Sequence, residues 1–235
     1  MKEKIAIIGS GIAGLSTAYF AQHQYEVTLF EKNDYIGGHA NTRTVKVDDI
    51  NIPVDTGFIV FNSHTYPNLI KLFDELEVET VDSDMSFSFY SPDQSFEYGG
   101  GSLASLISDK SNLIKPSFYL MIKDIFRFYK KFQKNSSVPN ITIEDYCVQN
   151  NYSKAFIDFH LLPLISSIWS TPNELSMKQP LSNIVSFFQN HKLFNFIDRP
   201  QWKTVKKGSK NYVKKIIAKT KMNINLSSKI KKIII

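Results

Sequence analysis

Three glycines and one acid are the residues of this sequence whose type and spacing point most directly to chemistry. Gly9, Gly11 and Gly14 stand at the G-x-G-x-x-G positions of Lys4-Ile5-Ala6-Ile7-Ile8-Gly9-Ser10-Gly11-Ile12-Ala13-Gly14, and Glu31 follows about 20 residues after Gly11. In that spacing Gly9 permits a tight turn, Gly11 lets the backbone approach a pyrophosphate, and Gly14 lets a helix lie close on the preceding strand. The N–H groups that open the helix, at Ile12 and Ala13, would face the phosphates together with the positive end of its dipole. Glu31 stands where an acceptor for ribose hydroxyls is needed. The chemistry implied is the holding of a dinucleotide. No G-x-S-x-G elbow or P-loop is present, the five histidines are scattered and Cys147 is alone, so the pattern fits a protein whose difficult chemistry belongs to a cofactor.

These residues need a strand, a turn, a helix and a second strand. Ile5 to Ile8 supply the first strand, a helical pattern starts after Gly11, and Tyr25 to Glu31 read as the second strand. Gly37 and Gly38 follow in Lys32-Asn33-Asp34-Tyr35-Ile36-Gly37-Gly38-His39, a pair that a simple nicotinamide-binding fold does not need and that suits a loop passing close to a bulky ligand. Thr42–Val47 and Ile50–Val54 alternate like a hairpin around Asp48-Asp49, and Asp55-Thr56-Gly57-Phe58 closes it with another close-approach glycine.

Residues 64–77 read as a helix with Tyr66, Leu69, Ile70, Phe73 and Leu76 on one face, and residues 85–90 and 95–98 as a second hairpin around Pro92-Asp93. From residue 102 to 190 the pattern is almost wholly helical, with breaks near Pro116, Pro139, Pro163, Pro172 and Pro180. The segment from Ser117 to Lys134 is the most amphipathic: Phe118, Met121, Ile122, Ile125, Tyr129 and Phe132 form a stripe that faces either a core or an anionic membrane surface. His160 sits among Phe156, Phe159, Leu161 and Leu164 and reads as a satisfied core histidine; Trp169 reads equally as packing or as the lining of a substrate tunnel. Residues 209–219 read as a helix with Tyr212, Val213, Ile216 and Ile217 inward, and Lys229–Ile235 as a returning strand.

With 235 residues and 43% hydrophobic content the chain can form one large or two small domains. A single cysteine excludes a disulfide framework, and the charge-free stretch 5–21 is interrupted by a glycine turn; the protein reads as cytoplasmic and unprocessed. The net charge of +6 is uneven, because residues 199–235 hold Arg199, eleven lysines and no acid. That tail is either a binding module for an anionic partner or the solvated faces of an ordinary domain; its helical patterning favours the second, and no nucleic-acid partner is expected.

The fingerprint, the Glu31 strand end, Gly37-Gly38 and Asp55-Thr56-Gly57 resemble the FAD-dependent amine oxidase and phytoene desaturase superfamily. "EKNDYIGGHANT", "VDTGFIVFN", "TYPNLI", "SDMSFS", "IWSTP", "FFQNH" and "DRPQWKTVKKGS" are similar to a bacterial branch of NAD/FAD-binding, amine oxidase-like proteins. The resemblance implies an α/β fold: a Rossmann-like FAD-binding domain of the glutathione reductase type with an inserted, mainly helical substrate domain. It implies FAD-domain residues at 1–62, the insertion at 63–205 and the return to the FAD domain from 206 to 235, within a chain expected to be a piece of a longer one.

FAD would be held by Gly9, Gly11, Ile12, Ala13, Gly14, Glu31, Lys32, Gly37, Gly38, His39 and Gly57. The family commonly has arginine after the glycine pair; His39 removes that fixed charge and puts a titratable group in its place. The reaction implied is hydride removal from a C–N or C–C bond of a small-molecule substrate. The aromatic load of Phe87, Phe89, Tyr90, Phe187, Phe188 and Trp202 favours an apolar one, with peripheral contact to a membrane compatible. The alternatives are a nicotinamide-dependent dehydrogenase and a non-catalytic fragment or basic-tail binding module. No catalytic residue stands out.

Overall fold

The structure, a computed structural model, describes the chain except residues 101–102, 134–136, 196–198 and 233–235. In chain order it runs β1 (Glu3–Ile8), α1 (Ile12–Ala21), β2 (Tyr25–Phe30), β3 (Thr42–Val47), β4 (Ile50–Asp55), α2 (Pro67–Glu75), β5 (Thr80–Ser83), β6 (Ser88–Ser91) and β7 (Phe96–Gly99). Then come α3 (Leu103–Leu106), a 3-10 turn (Lys110–Ile114), α4 (Pro116–Gln133), α5 (Ile143–Gln149), α6 (Lys154–Phe156), a π-helical turn (Ile157–Leu161), α7 (Leu162–Trp169), α8 (Asn173–Ser176) and α9 (Leu181–Asn190). The chain closes with β8 (Trp202–Val205), α10 (Lys210–Lys219) and β9 (Met222–Asn225). Two compact units result, Met1–Asp84 with Gln201–Ile235, and Met85–Pro200.

The first unit is α/β. Its parallel sheet has the order β1-β2-β9, with Ile5 opposite Val27 and Val27 opposite Met222. Leu15, Ala18 and Tyr19 of α1 are buried against this sheet's side of the core, with Tyr212, Val213 and Ile216 of α10 in the same cluster. The two helices are tied at their ends: Gln22 Nε2 donates to Lys219 O at 3.2 Å, and Gln22 Oε1 accepts from Lys221 N at 2.8 Å. The expected hairpin is β3–β4, with Thr42 opposite Asp55.

Two boundaries differ from the sequence reading. Residues 63–84 and 201–205 belong to the first unit, not to the insertion, because Leu72, Phe73 and Leu76 of α2 share its core and β5 pairs with β8, Thr80 opposite Val205. The returning strand is β9, Met222–Asn225, and not Lys229–Ile235: residues 229–232 form no strand, and 233–235 lie outside the described residues.

Part of the basic tail finds partners within this unit. Lys215 and Lys219 donate to the carbonyls of Glu77 and Glu75, at the C-terminal end of α2, where cations complement the helix dipole. Lys206 pairs with Glu79 at 2.7 Å and Lys203 with Asp82 at 3.4 Å. Residues 74–84 carry six acids, of which Glu79 and Asp82 pair with lysines of this segment.

The N-terminus of α10 is held by Asp55, whose Oδ1 accepts from Thr42 Oγ1 (2.5 Å) and Ser209 Oγ (2.7 Å), while Oδ2 accepts from Ser209 N at 2.9 Å. Thr42 Oγ1 in turn accepts from Lys210 N at 2.9 Å. An anion at this end satisfies N–H groups that the helix leaves unpaired. Asp55→Ala strips the acceptor from three donors and is expected to cost about 3 kcal/mol of unfolding free energy, read from urea titrations. A loss within about 0.5 kcal/mol would show that the carboxylate does not tie the hairpin to α10.

The second unit is a helical bundle with the β6–β7 hairpin, Phe89 opposite Tyr98. The amphipathic stripe of α4 faces the core: Phe118, Met121, Ile125, Phe128, Tyr129 and Phe132 are buried, and Lys123, Lys130 and Lys131 are exposed. Lys134 lies outside the described residues. Phe128 sits 5.1 Å from Phe132 and 5.6 Å from Phe156, ring centre to ring centre. Buried Asp124 accepts from Ser153 N at 2.7 Å and pairs with Arg127, whose guanidinium lies 3.9 Å from the Tyr152 ring centre.

Pro163 does not break the helix. It stands in the first turn of α7, where a missing N–H costs little. It offers no N–H to the carbonyl of Phe159, four residues back, and that oxygen accepts the Tyr98 hydroxyl at 3.1 Å. His160 is a core histidine as expected, buried with Nδ1 2.7 Å from the Tyr98 hydroxyl and Nε2 3.1 Å from that of Tyr129. Trp169 packs edge-on to Phe187 at 4.8 Å. Cys147 is buried and its thiol is pushed up to about 12 by burial, which leaves it unreactive.

Candidate functional site

The glycine turn is assembled as the spacing requires. β1 ends at Ile8, Gly9 turns with φ +96° and its N–H donates to Phe30 O at 2.8 Å, and Gly11 caps α1 without a side-chain partner. At Gly14 an added Cβ would lie 1.9 Å from the Gly9 carbonyl oxygen, so only glycine lets α1 approach β1 this closely. At Gly11 the same atom meets nothing within 4 Å. The space beside the turn is open, and Ile12 and Ala13, which begin α1, are exposed. Exposed residues at the start of α1, an open approach and no acid in the first turn make this end of the helix fit a phosphate.

Ser10 organises the rest, and the sequence reading gave it no role. Its N–H and hydroxyl donate to Glu31 Oε2 at 2.8 and 2.5 Å, and its carbonyl and hydroxyl oxygens face Gly37 N at 3.1 and 3.3 Å. One buried serine thus joins the glycine turn, the acid and the loop. A small hydroxyl residue between two fingerprint glycines was the available signal.

Glu31 lies just past β2, buried, with Oε1 accepting from Asn33 N at 2.9 Å. Burial opposes its charge, but the Ser10 hydroxyl and the amides of Asn33, Ser10 and Lys32 outweigh that and hold the carboxyl below the usual carboxylate range. The carboxylate is fixed in place and charged, with Oε2 taking both Ser10 donors and Oε1 taking Asn33 N. The carbonyls of Glu31 and Asn33 accept from Ser228 N (2.8 Å) and Ser227 N (2.9 Å), so the segment after β9 walls this edge, a contribution from sequence far from the fingerprint.

The remaining expected residues fall around the same turn with differing duties. Gly38 presses on the turn itself: a Cβ there would lie 3.0 Å from Gly11 Cα. Gly57 meets the His39 carbonyl, 2.4 Å from an added Cβ, and Phe58 N donates to that carbonyl at 2.9 Å. The glycines at 38 and 57 are therefore demanded by the packing of the loop and hairpin, before any ligand is considered. Lys32 and His39 carry exposed side chains beside this loop.

The fold and the glycine turn define a dinucleotide-binding domain of the Rossmann type, and residues 7–76 match the family described as NAD(P)-binding Rossmann-like domain. A stretch of 77 residues is 35% identical to 15-cis-phytoene desaturase of Synechococcus elongatus, covering 32% of this chain and 15% of that protein. Another of 147 residues is 26% identical to 4,4'-diaponeurosporene oxygenase of Staphylococcus haemolyticus, covering 62% of this chain and 28% of that one. Among solved structures, cyclohexylamine oxidase from Brevibacterium oxydans IH-35A superposes with a TM-score of 0.64 at 18% identity, over 97% of this chain and 51% of that one. Residues 7–76 thus match a Rossmann-like dinucleotide-binding family, and the fold of the chain is similar to that of the solved amine oxidase. It spans about half the length of the solved structure it matches and a smaller share of the curated relatives.

Proposed function

We propose that this protein is an FAD-dependent oxidoreductase that takes hydride from a C–N or C–C bond of an apolar small molecule. The observation that carries the reading is the turn built from Gly9 to Gly14, open at Gly11, with a charged and immobilised Glu31 bonded to it through Ser10. FAD would supply the hydride-accepting chemistry when bound. This chain's residues bind and orient its adenosine diphosphate end: the amides that open α1 receive the phosphates, Glu31 accepts from the ribose, and the Gly37-Gly38 loop limits where the chain of the cofactor runs.

The bond class rests on the relatives, two named for carotenoid-type substrates and one for an amine. The aromatic residues do not add to it. Phe188 is fully buried, Phe87, Phe89 and Phe187 pack on the helical core, and Trp202 is a buried residue of β8 in the first unit.

Purified protein reconstituted with FAD is expected to retain flavin absorbance, and NAD is expected not to displace it. Glu31→Ala removes a charged acceptor and is expected to weaken FAD binding by about 1.5–3 kcal/mol, roughly ten- to a hundredfold, in a protein whose circular dichroism is unchanged. Wild-type protein that takes up NAD but no flavin would overturn the reading in favour of a nicotinamide enzyme.

A further inference from the structure

We propose that the helical unit docks on an anionic lipid surface through the 3-10 turn Lys110–Ile114 and the solvent-facing side of α4. The stripe of α4 that could have served a membrane is buried in the core, and the opposite side is not purely polar. After Met1, Ile114 is the most exposed large hydrophobic among the described residues, at 85%, and Leu113, Tyr119 and Leu120 are exposed beside it at 42%, 55% and 47%. The Tyr119 hydroxyl donates to Leu113 O at 2.7 Å, which joins the turn and the first turn of α4 into one surface.

Lys110, Lys123 and Lys130 are exposed on these two elements. Of the two acids here, one is buried and the other keeps its charge but is outnumbered by the lysines. Asp109, just ahead of the turn, accepts from Ser111 N and Oγ at 2.8 and 2.7 Å, and Asp124 is buried against Ser153 N and Arg127. An apolar tip rimmed by lysines, with no free carboxylate on α4 to repel it, matches a layer of anionic headgroups over acyl chains, which satisfies both kinds of side chain at once. No helix among the described residues is long and apolar enough to cross a membrane, so the contact is peripheral.

The proposal does not depend on flavin binding, and its test needs none. The full chain is sedimented with phosphatidylcholine vesicles, with and without phosphatidylglycerol. Wild type is expected to partition at least about tenfold better onto the anionic vesicles, with the advantage lost at high salt. Ile114→Glu with Leu120→Glu is expected to lower partitioning about tenfold or more, and Lys123→Glu with Lys130→Glu to abolish the preference for phosphatidylglycerol. All four side chains are exposed, so circular dichroism should be unchanged. Wild type left in the supernatant, or variants that partition like wild type, would overturn the proposal. So would light scattering that shows a wild-type dimer, dissociated by the Ile114 and Leu120 changes, with no vesicle binding.

Discussion

Gly14→Val is expected to unfold the α/β unit, whereas Gly11→Val is expected to leave it folded and without cofactor. The two glycines are three residues apart in one motif, yet they face different surroundings. A Cβ at Gly14 would lie 1.9 Å from the Gly9 carbonyl oxygen, 3.0 Å from its carbon and 3.4 Å from Ile7 Cγ2. Backbone cannot step aside as a side-chain tip can, so α1 must lift off β1, and Leu15, Ala18 and Tyr19 leave the core with it. Overpacking against rigid backbone on this scale costs on the order of 4 kcal/mol or more, a large part of an ordinary domain's total. At Gly11 the added carbon meets nothing within 4 Å and the backbone is extended, with φ −68°, so the β-carbon of valine brings no clash to the free protein. On the proposed function it fills the space that a pyrophosphate would occupy. Urea unfolding and FAD titration of both variants separate the two effects. A Gly14→Val protein of wild-type stability, or a Gly11→Val protein with wild-type FAD affinity, would show that the turn has been assigned the wrong roles.

What was legible in the sequence is what depends on near neighbours. The strand, turn and helix around Gly9 to Gly14 and the β3–β4 hairpin are set by local spacing and alternation, and they lie where the pattern puts them. Ser10 was not legible, because its importance comes from residues 21 and 27 positions later, Glu31 and Gly37. The β5–β8 pair was missed for a related reason. Thr80–Ser83 and Trp202–Val205 are four residues each, mixed polar and apolar, and exist as strands only because they find each other. That pairing also moves the unit boundary, since it fastens residues 201–205 beside 80–83. At the end of the chain the isoleucines of 230–235 drew the strand assignment. The actual strand, Met222-Asn223-Ile224-Asn225, has only two apolar residues, both half-buried, and its asparagines are exposed. The partners of the lysine-rich segment were not legible either, because the carbonyls of Glu75 and Glu77 and the carboxylates of Glu79 and Asp82 stand more than a hundred residues earlier.

Acid is expected to destabilise the helical unit, with His160 as an identifiable source. The ring is 7% exposed, its two nitrogens face the hydroxyls of Tyr98 and Tyr129, and the Phe156 ring stacks on it at 5.9 Å. Burial lowers its pKa to about 3, because a charged imidazolium would lose its water there. Both tyrosines are pushed upward by burial, so they stay neutral hydroxyls and offer no countercharge. The sign follows from which state binds the proton. Above about pH 6.5 the imidazole is neutral whether the chain is folded or not, and it makes no pH-dependent contribution. As pH falls below that value the unfolded chain takes up a proton that the folded one refuses, and stability declines until the native pKa near 3 is reached. The gap corresponds to a loss of roughly 2 kcal/mol by about pH 5 and on the order of 4 kcal/mol at its full extent. Other groups titrate in the same range, so the histidine is isolated by comparison with His160→Gln, which keeps a donor and an acceptor for the two hydroxyls and cannot ionise. At about pH 8 the variant should be the less stable by about 1 kcal/mol, since its shape fits the ring's site poorly. On acidification the wild-type curve should fall more steeply, so that the two converge and then cross between about pH 6 and pH 5. Urea midpoints that run parallel from about pH 8 to about pH 4 would mean that the buried ring does not control the acid response.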